Sequence, residues 1–372
     1  MSPVPTSDSP TVAPVSQNVT VACDADSNFP AQLSFKCAVT DSKGPRRFME
    51  DAHSIIVPFA GVRGQGFFAI FDGHAGKQAA EWCGQNFSPC LLNALRRGAN
   101  DNIPDVLNQA FHDVDFSLSK MAEESEGKMH SGCTAVTAFL RLEDSAGRQS
   151  FLPHGFDPLQ SGLDLIEGDA AEESGGESPE RKTKKKNSAA KIKDALKSIG
   201  SSSHSGSSTE ATTISASDKD KNSRLYTPTS PTGIRRVLYC ANAGDARGSD
   251  KQEAKRIMDA GGFVMSGRVN GVLAVTRSLG DSSMKEFVVG APYTTETELT
   301  EEDEFLILAC DGLWDVVDDQ AAVKLVREIA DPKKAAQELL DYAYRNYSTD
   351  NVTTLVVRFR NPPENLGKSK SL

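Results

Sequence analysis

Four aspartates in this sequence stand at the ends of short apolar stretches, where a strand would hold each carboxylate rigidly. They are Asp72, Asp245, Asp311 and Asp350. Any one of them alone is as well explained as a turn or capping residue, but the four together indicate one shared site. Carboxylate oxygens favour the hard cations Mg²⁺ and Mn²⁺ over zinc. Because clustered carboxylates repel one another, a cation between them would also stabilise the cluster.

Two further sequence features are typical of phosphoryl chemistry. A pair of hard cations about 4 Å apart is a common device for activating water against phosphorus. Arg46-Arg47 lies just before Glu50-Asp51, and guanidinium groups suit bidentate phosphate binding, although an arginine pair alone is usually a surface feature. His74, two residues after Asp72, has two open interpretations, a structural hydrogen bonder or a proton donor to a leaving oxygen.

The elements that must position these groups are mixed strands and helices. The apolar run at residues 67–71, bounded by glycines, predicts a strand buried on both faces. Further strands are predicted over residues 33–39, 55–57, 131–140, 236–244, 305–310 and 352–359. Helical spacing is found after Gly76 up to residue 95, over 105–124 and 252–260, and twice more near the C-terminus. Residues 263–281 mix short apolar pieces with glycine and arginine, which predicts a mobile flap.

The composition predicts a single domain with one long interruption. Residues 144–233 contain an acidic patch, a basic run and a serine tract. Such a segment cannot bury enough apolar surface to offset its ordering entropy, so we expect a disordered insertion in a surface loop. We therefore predict a disordered tail over residues 1–30, a domain over 31–360 and a polar tail over 361–372.

Charge and cysteine content exclude several function classes. The net charge is −10, from 41 basic and 51 acidic residues, which argues against nucleic acid as a partner. No apolar run is long enough to cross a membrane, and the N-terminus lacks the pattern of a secretory signal. The 7 cysteines contain no CxxC pair, which predicts a reducing, cytoplasmic location. The basic run at 181–186 is either a nuclear-localisation signal or a solvated charged stretch.

Several short motifs follow one another along the chain. They are Arg46-x-x-Met49-Glu50-Asp51-Ala52-His53, Phe71-Asp72-Gly73-His74-Ala75-Gly76, Ser131-Gly132-Cys133-Thr134-Ala135, Gly244-Asp245-Ala246-Arg247, Ser278-Leu279-Gly280-Asp281, Asp311-Gly312-Leu313-Trp314-Asp315 and Thr349-Asp350-Asn351-Val352-Thr353. In this order they resemble the type 2C (metal-dependent, PPM) protein phosphatases, and among them the fungal enzymes that restrain stress-activated MAP kinase cascades. The resemblance spans residues 33–143 and 234–359.

The resemblance implies an α+β fold, a central sandwich of two antiparallel β-sheets flanked by α-helices, with two metal ions at one end. The implied metal ligands are Glu50, Asp72, the carbonyl of Gly73, Asp311 and Asp350. A weaker third ion would be held by Asp245 and Asp315. In the same family pattern Asp51 holds metal-bound water, Arg46 binds phosphate and His74 is the general acid.

The activity implied by the resemblance is Mg²⁺- or Mn²⁺-dependent hydrolysis of phosphoserine and phosphothreonine in proteins. A metal-bridging hydroxide attacks phosphorus directly, without a phosphoenzyme. The implied partners are phosphorylated proteins, MAP kinases among them, and the enzyme would act as a monomeric negative regulator of kinase signalling in the cytoplasm, with the nucleus as an alternative location. No nucleic acid and no membrane is expected as a partner.

One departure from the family pattern affects both fold and activity. The family continues after Gly-Asp-Ala-Arg with a strand–turn–strand of about twenty residues, whereas here Arg247 runs directly into Gly248-Ser249-Asp250. Loss of a hairpin should leave unpaired sheet edges and an uncertain position for Asp245. The alternative function is therefore a phosphatase-like binding protein that is catalytically weakened or inactive.

Overall fold

Two antiparallel β-sheets lie face to face in the middle of the molecule and carry helices on their outer surfaces. The computed structural model describes residues 18–22, 29–99, 101–126, 128–159, 225–244 and 250–362. The strands are β1 (Asn18–Ala22), β2 (Lys36–Ser42), β3 (Ala52–Ile56), β4 (Gly66–His74), β5 (Gly132–Glu143), β6 (Arg235–Ala243), β7 (Val264–Met265), β8 (Arg268–Val269), β9 (Leu279–Gly280), β10 (Tyr293–Leu299), β11 (Phe305–Ala309) and β12 (Val352–Arg358). The α-helices are α1 (Gln78–Arg97), α2 (Ile103–Glu124), α3 (Lys251–Asp259), α4 (Asp311–Trp314), α5 (Asp319–Val326) and α6 (Pro332–Arg345).

The strand order explains how residues far apart in sequence meet. One sheet has the order β1-β2-β12-β11, so the last strand of the chain lies beside the second. The other has the order β10-β6-β5-β4-β3, with the short β9 added on β5, and β7 and β8 form a separate hairpin. All strand pairs within the two sheets are antiparallel. The predicted sandwich of two antiparallel sheets is confirmed.

Strand β4 shows how the layers are held together. Its side chains alternate, so Phe67 and Phe71 point into the core beneath α1 and α2, whereas Phe68 and Ile70 point into the core between the sheets. These side chains are almost fully buried, as the unbroken apolar run predicts. A third core lies between β11, β12 and helices α4 to α6. The four-layer arrangement therefore buries both faces of each sheet.

Local signals start the helices where the sequence places them. Asp331 caps α6 by accepting a hydrogen bond from the backbone nitrogen of Lys333, and Pro332 occupies its first position. Asn102 caps α2 in the same way through the nitrogen of Asp105. No helix in the described ranges is both long and apolar enough to cross a membrane.

Two predicted boundaries are wrong. Residues 18–22 were expected in a disordered tail, but they form β1 and pair with β2, because their alternating Val and Thr suit an edge strand. The expected insertion, 144–233, is too wide. The rings of Phe151 and Phe156 both contact the ring of Tyr226 at the rim of the core between the sheets. Their partial burial draws both ends of the insertion into the fold.

The edge of β6, which the missing hairpin was expected to leave open, is paired along its length. Strand β10 runs antiparallel to β6 in a register from Tyr293–Asn242 to Leu299–Arg236. Most side chains of β10 are exposed and polar, which protects the new outer edge from further pairing. The expected unpaired edge is therefore not found at β6. Asp245 and the residues on to 249 lie outside the described residues.

Candidate active site

The ends of both sheets bring the predicted acidic residues to one place. Asp72 lies near the end of β4, and the register of Ala52 opposite Phe71 sets Asp51 beside it on the neighbouring strand. In the other sheet, Asp311 begins α4 two residues after the last residue of β11, and Asp350 lies just before β12, which pairs with β11. The pairing of β3 with β4 and of β11 with β12 therefore holds carboxylates from the two sheets at the same end of the sandwich.

The carboxylates lie close to one another. Ligand atoms of Asp51, Asp72 and Cys310 lie within 4.8 Å of one another, and the side chains of Asp72 and Asp311 share a hydrogen bond. The hydroxyl of Thr353 donates to Oδ2 of Asp51 at 2.7 Å. These contacts orient the carboxylates of Asp51 and Asp72.

The pKa values of the clustered acids indicate what kind of ligand the site would hold. Burial raises the pKa of Asp72 to about 10, reinforced by the nearby carboxylates of Asp51, Asp311 and Asp350. Burial also raises the pKa of Asp51 to about 6, although its bond from Thr353 opposes the rise. A cation between these acids would offset both the cost of burying their charge and their mutual repulsion, and would lower both pKa values. Since the surrounding donors are mainly carboxylate oxygens, the residues present fit Mg²⁺ or Mn²⁺.

Cys310 is a further member of the cluster. It is buried, and its Sγ accepts a hydrogen bond from the nitrogen of Thr353 at 3.2 Å and donates to the carbonyl of Asn351 at 3.5 Å. Burial raises the pKa of this thiol well above its usual range, and Asp51 and Asp72 add to the effect. The sulfur therefore remains a protonated packing group beside the carboxylates.

A pH-dependent stability of the metal-free protein follows from these pKa values. Between the unfolded pKa of Asp72, 3.8, and its folded value of about 10, the native state holds a proton that the unfolded state has released. Raising the pH across this window therefore favours unfolding, by up to about 1.4 kcal/mol per pH unit for one proton. We expect the free energy of unfolding in EDTA to fall between pH 5 and pH 8.

The measurement is urea unfolding at several pH values with EDTA or with Mn²⁺. Histidines also titrate in this range. We therefore compare the slope of the unfolding free energy against pH in the wild type with the same slope in Asp72→Asn, which has no such proton. The exposed Asp259→Asn serves as the matched control. A wild-type slope in EDTA equal to that of Asp72→Asn would contradict the raised pKa of Asp72.

Glu50, just before β3, is in close contact with Gly73 in β4. A Cβ atom at Gly73 would overlap the carbonyl oxygen of Glu50, so only glycine fits there. The carboxylate of Glu50 accepts a hydrogen bond from the nitrogen of Gly76 at 2.8 Å. This packing places the Glu50 side chain and the Gly73 backbone at the same end of β4 as Asp72.

Arg46 reaches the site from a loop before Glu50. Its Nη2 lies 2.6 Å from Oδ2 of Asp350, and its Nε donates to the carbonyl of Thr349 at 3.3 Å. The side chain is half exposed, so it is accessible to a phosphate group. The structure therefore joins the predicted phosphate-binding arginine to a predicted metal ligand.

His74 has a partner that the sequence reasoning did not assign. Its Nε2 lies 2.7 Å from Oδ2 of Asp281, and the hydroxyl of Ser278 donates to the same oxygen. Asp281 is buried and adopts a left-handed backbone with φ of 47°. The Ser-Leu-Gly-Asp motif was the signal for this residue, but nothing in the sequence showed that it would meet the end of β4.

The two residues predicted to hold a third ion have different outcomes. Asp315 follows α4, where its backbone nitrogen bonds to the carbonyl of Asp311, and its side chain is exposed at the surface. Asp245 falls outside the described residues. The third site therefore stays a prediction.

Comparison with known proteins identifies the family. The family described as "Protein phosphatase 2C" matches residues 35–145 and 247–352. Protein phosphatase 2C homolog 1 of Saccharomyces cerevisiae is 35% identical over 340 residues, covering 88% of this chain and 95% of the yeast protein. The protein of the same name from Schizosaccharomyces pombe is 33% identical and covers 87% of this chain and 72% of its own length.

Solved structures agree on the fold. Serine-threonine phosphatase 2C from Toxoplasma gondii superposes with a TM-score of 0.55 at 18% identity, covering 94% of this chain and 100% of the parasite chain. A second phosphatase structure from the same organism has a TM-score of 0.55 at 19% identity, with coverage of 93% and 96%. At this identity the likeness shows a shared fold, whereas the sequence matches extend over nearly the whole of the yeast relative. The chain belongs to the protein phosphatase 2C family.

Proposed function

We propose that this protein is a Mg²⁺- or Mn²⁺-dependent phosphatase that hydrolyses phosphoserine and phosphothreonine in proteins. The observation that carries the proposal is the cluster of Asp51, Asp72, Asp311 and Asp350 beside Arg46. The curated relatives are named protein phosphatases, which supports the reaction class. The resemblance to fungal enzymes extends the proposal to substrates in kinase cascades, with MAP kinases as the first to test.

The residues present divide the reaction into separate tasks. Glu50, Asp72, the Gly73 carbonyl, Asp311 and Asp350 would hold the cations, which when bound supply positive charge to the phosphoryl oxygens and activate the attacking water. Arg46 would exchange its contact with Asp350 for two phosphoryl oxygens.

Proton movements complete the proposed reaction. The carboxylate of Asp51, oriented by Thr353, would accept a hydrogen bond from the attacking water. As the new phosphorus–oxygen bond forms and the bond to the serine or threonine oxygen breaks, His74 would give a proton to the departing oxygen. The products are inorganic phosphate and the free hydroxyl side chain.

Hydrolysis of a phosphoserine peptide tests the proposal. Activity should require millimolar Mg²⁺ or Mn²⁺, because carboxylate sites that keep several waters bind these ions weakly. EDTA should abolish activity, and re-addition of Mn²⁺ should restore it. Full turnover in metal-free buffer would contradict the proposed cation dependence.

The missing strand pair favours one competing function, a phosphatase-like protein that binds phosphorylated partners without turning them over. The phosphoserine peptide assay, combined with a binding measurement, decides between the enzyme and the binding protein. A protein that binds Mn²⁺ by calorimetry and retains a phosphoserine peptide, yet releases no phosphate, would be the binding protein. The close approach of Asp51, Asp72, Asp311 and Asp350 favours the enzyme.

A further inference from the structure

We propose that Asn351 is a positioning residue that holds the phosphate-binding loop in register with the metal-binding carboxylates, and that it acts on substrate through Arg46. This inference rests on the proposed function and adds to it a residue with no chemistry of its own. Asn351 is buried, with 5% of its surface exposed, and it lies between Asp350 and β12.

The side-chain amide of Asn351 bridges to a distant part of the chain. Its Nδ2 donates to the carbonyl of Lys43 at 3.1 Å and to the carbonyl of Phe48 at 3.0 Å. Its Oδ1 accepts from the backbone nitrogen of Glu50 at 2.8 Å. Both amide protons and one lone pair are thus used on residues 43–50, the segment that carries Arg46.

The backbone of Asn351 is held by hydrogen bonds to Asp350 and Cys310. Its nitrogen donates to Oδ1 of Asp350 at 2.7 Å, and its carbonyl accepts from the thiol of Cys310. A Cβ atom at Gly312 would overlap the same carbonyl, so the residue after Asp311 packs directly on it. Asn351 therefore cannot move without disturbing the residues around two predicted metal ligands.

Arg46 lies near the middle of the loop of residues 43–50 that Asn351 holds. The two carbonyls bound by Nδ2 belong to Lys43 and Phe48, which flank Arg46 on either side. Arg46 is exposed and bonds to Thr349 and Asp350, the two residues just before Asn351. One amide thus determines the distance between the guanidinium group and the acidic cluster, and an error of about 1 Å in such a distance can cost up to 100-fold in rate.

A double-mutant cycle between Asn351→Ala and Arg46→Ala tests this role with a phosphoserine peptide and Mn²⁺. We expect Asn351→Ala to raise KM about tenfold in the presence of Arg46 and less than about twofold in its absence. In parallel, hydrogen exchange of residues 43–50 should become faster in Asn351→Ala. Asn108→Ala, an exposed asparagine on α2, is the matched control and should change neither quantity.

A purely structural asparagine would give a different pattern. If the rise in KM is the same with and without Arg46, or if exchange of residues 43–50 does not change, the proposal is overturned. Should Asn351→Ala fail to fold, Asn351→Ser, which keeps a polar group but cannot reach the loop, replaces it in the same cycle. Absence of turnover in the wild type would instead refute the proposed function, and hydrogen exchange would still decide whether Asn351 positions the loop.

Discussion

Replacing Asp72 by asparagine should lower turnover of a phosphoserine peptide by more than about 100-fold, because loss of a residue that merely supports a metal ligand already costs about 10- to 100-fold. The change removes a full negative charge from the centre of the carboxylate cluster, where Asp72 contacts Asp311 and lies beside Asp51. Mn²⁺ affinity measured by calorimetry should fall together with activity.

The same substitution should stabilise the metal-free protein. In the absence of a cation, Asp72 must keep its proton at neutral pH against its tendency to ionise, as the raised pKa of about 10 shows. Asparagine is neutral without that cost, so Asp72→Asn should gain about 1–4 kcal/mol of unfolding free energy at pH 8 in EDTA. Opposite changes in activity and stability are the signature of a residue retained for function.

Two outcomes would contradict the interpretation of Asp72 as a metal ligand that destabilises the metal-free protein. A variant that keeps wild-type turnover at saturating Mn²⁺ would show that Asp72 is not a necessary ligand. A variant less stable than the wild type in EDTA would show that Asp72 has a structural role in the folded state. Asp259→Asn, on the exposed side of α3, controls for the effect of removing one aspartate charge.

Most of the layered fold was predictable because its strands are continuous apolar runs. The run at β4 predicted a strand buried on both faces, and the structure confirms it. Strand β10 was missed because its alternating Thr and Glu residues carry no apolar face. Such a strand forms only because β6 offers an open edge, and that requirement depends on the rest of the sheet rather than on local sequence.

Some site residues could be predicted from the local sequence, whereas others depend on contacts between distant parts of the chain. Asp72, Asp311 and Asp350 were found from their positions at strand ends, and the strand order brings them to one end of the sandwich. The roles of Asp281 and Asn351 depend on contacts across more than 200 residues of sequence. No spacing or periodicity predicts such contacts, because they arise only when both sheets are assembled.

The contact with Asp281 bears directly on the expected behaviour of His74→Ala. A hydrogen bond from Nε2 of His74 to Asp281 would orient the ring and leave Nδ1 as the second nitrogen available to a departing oxygen. If His74 supplies that proton, its removal should slow a phosphoserine peptide by about 100-fold or more, since serine is a poor leaving group. p-Nitrophenyl phosphate, whose leaving group departs without a proton, should lose less than about fivefold.

The comparison needs both substrates measured as kcat at saturating Mn²⁺, with His112→Ala as the control, because His112 is an exposed histidine on α2. Unequal losses on the two substrates identify a proton donor, since a residue that only supports the fold affects every substrate alike. Equal losses would assign His74 to structure, with Asp281 as its anchor. The ratio of the two losses therefore decides the question without knowledge of the physiological substrate.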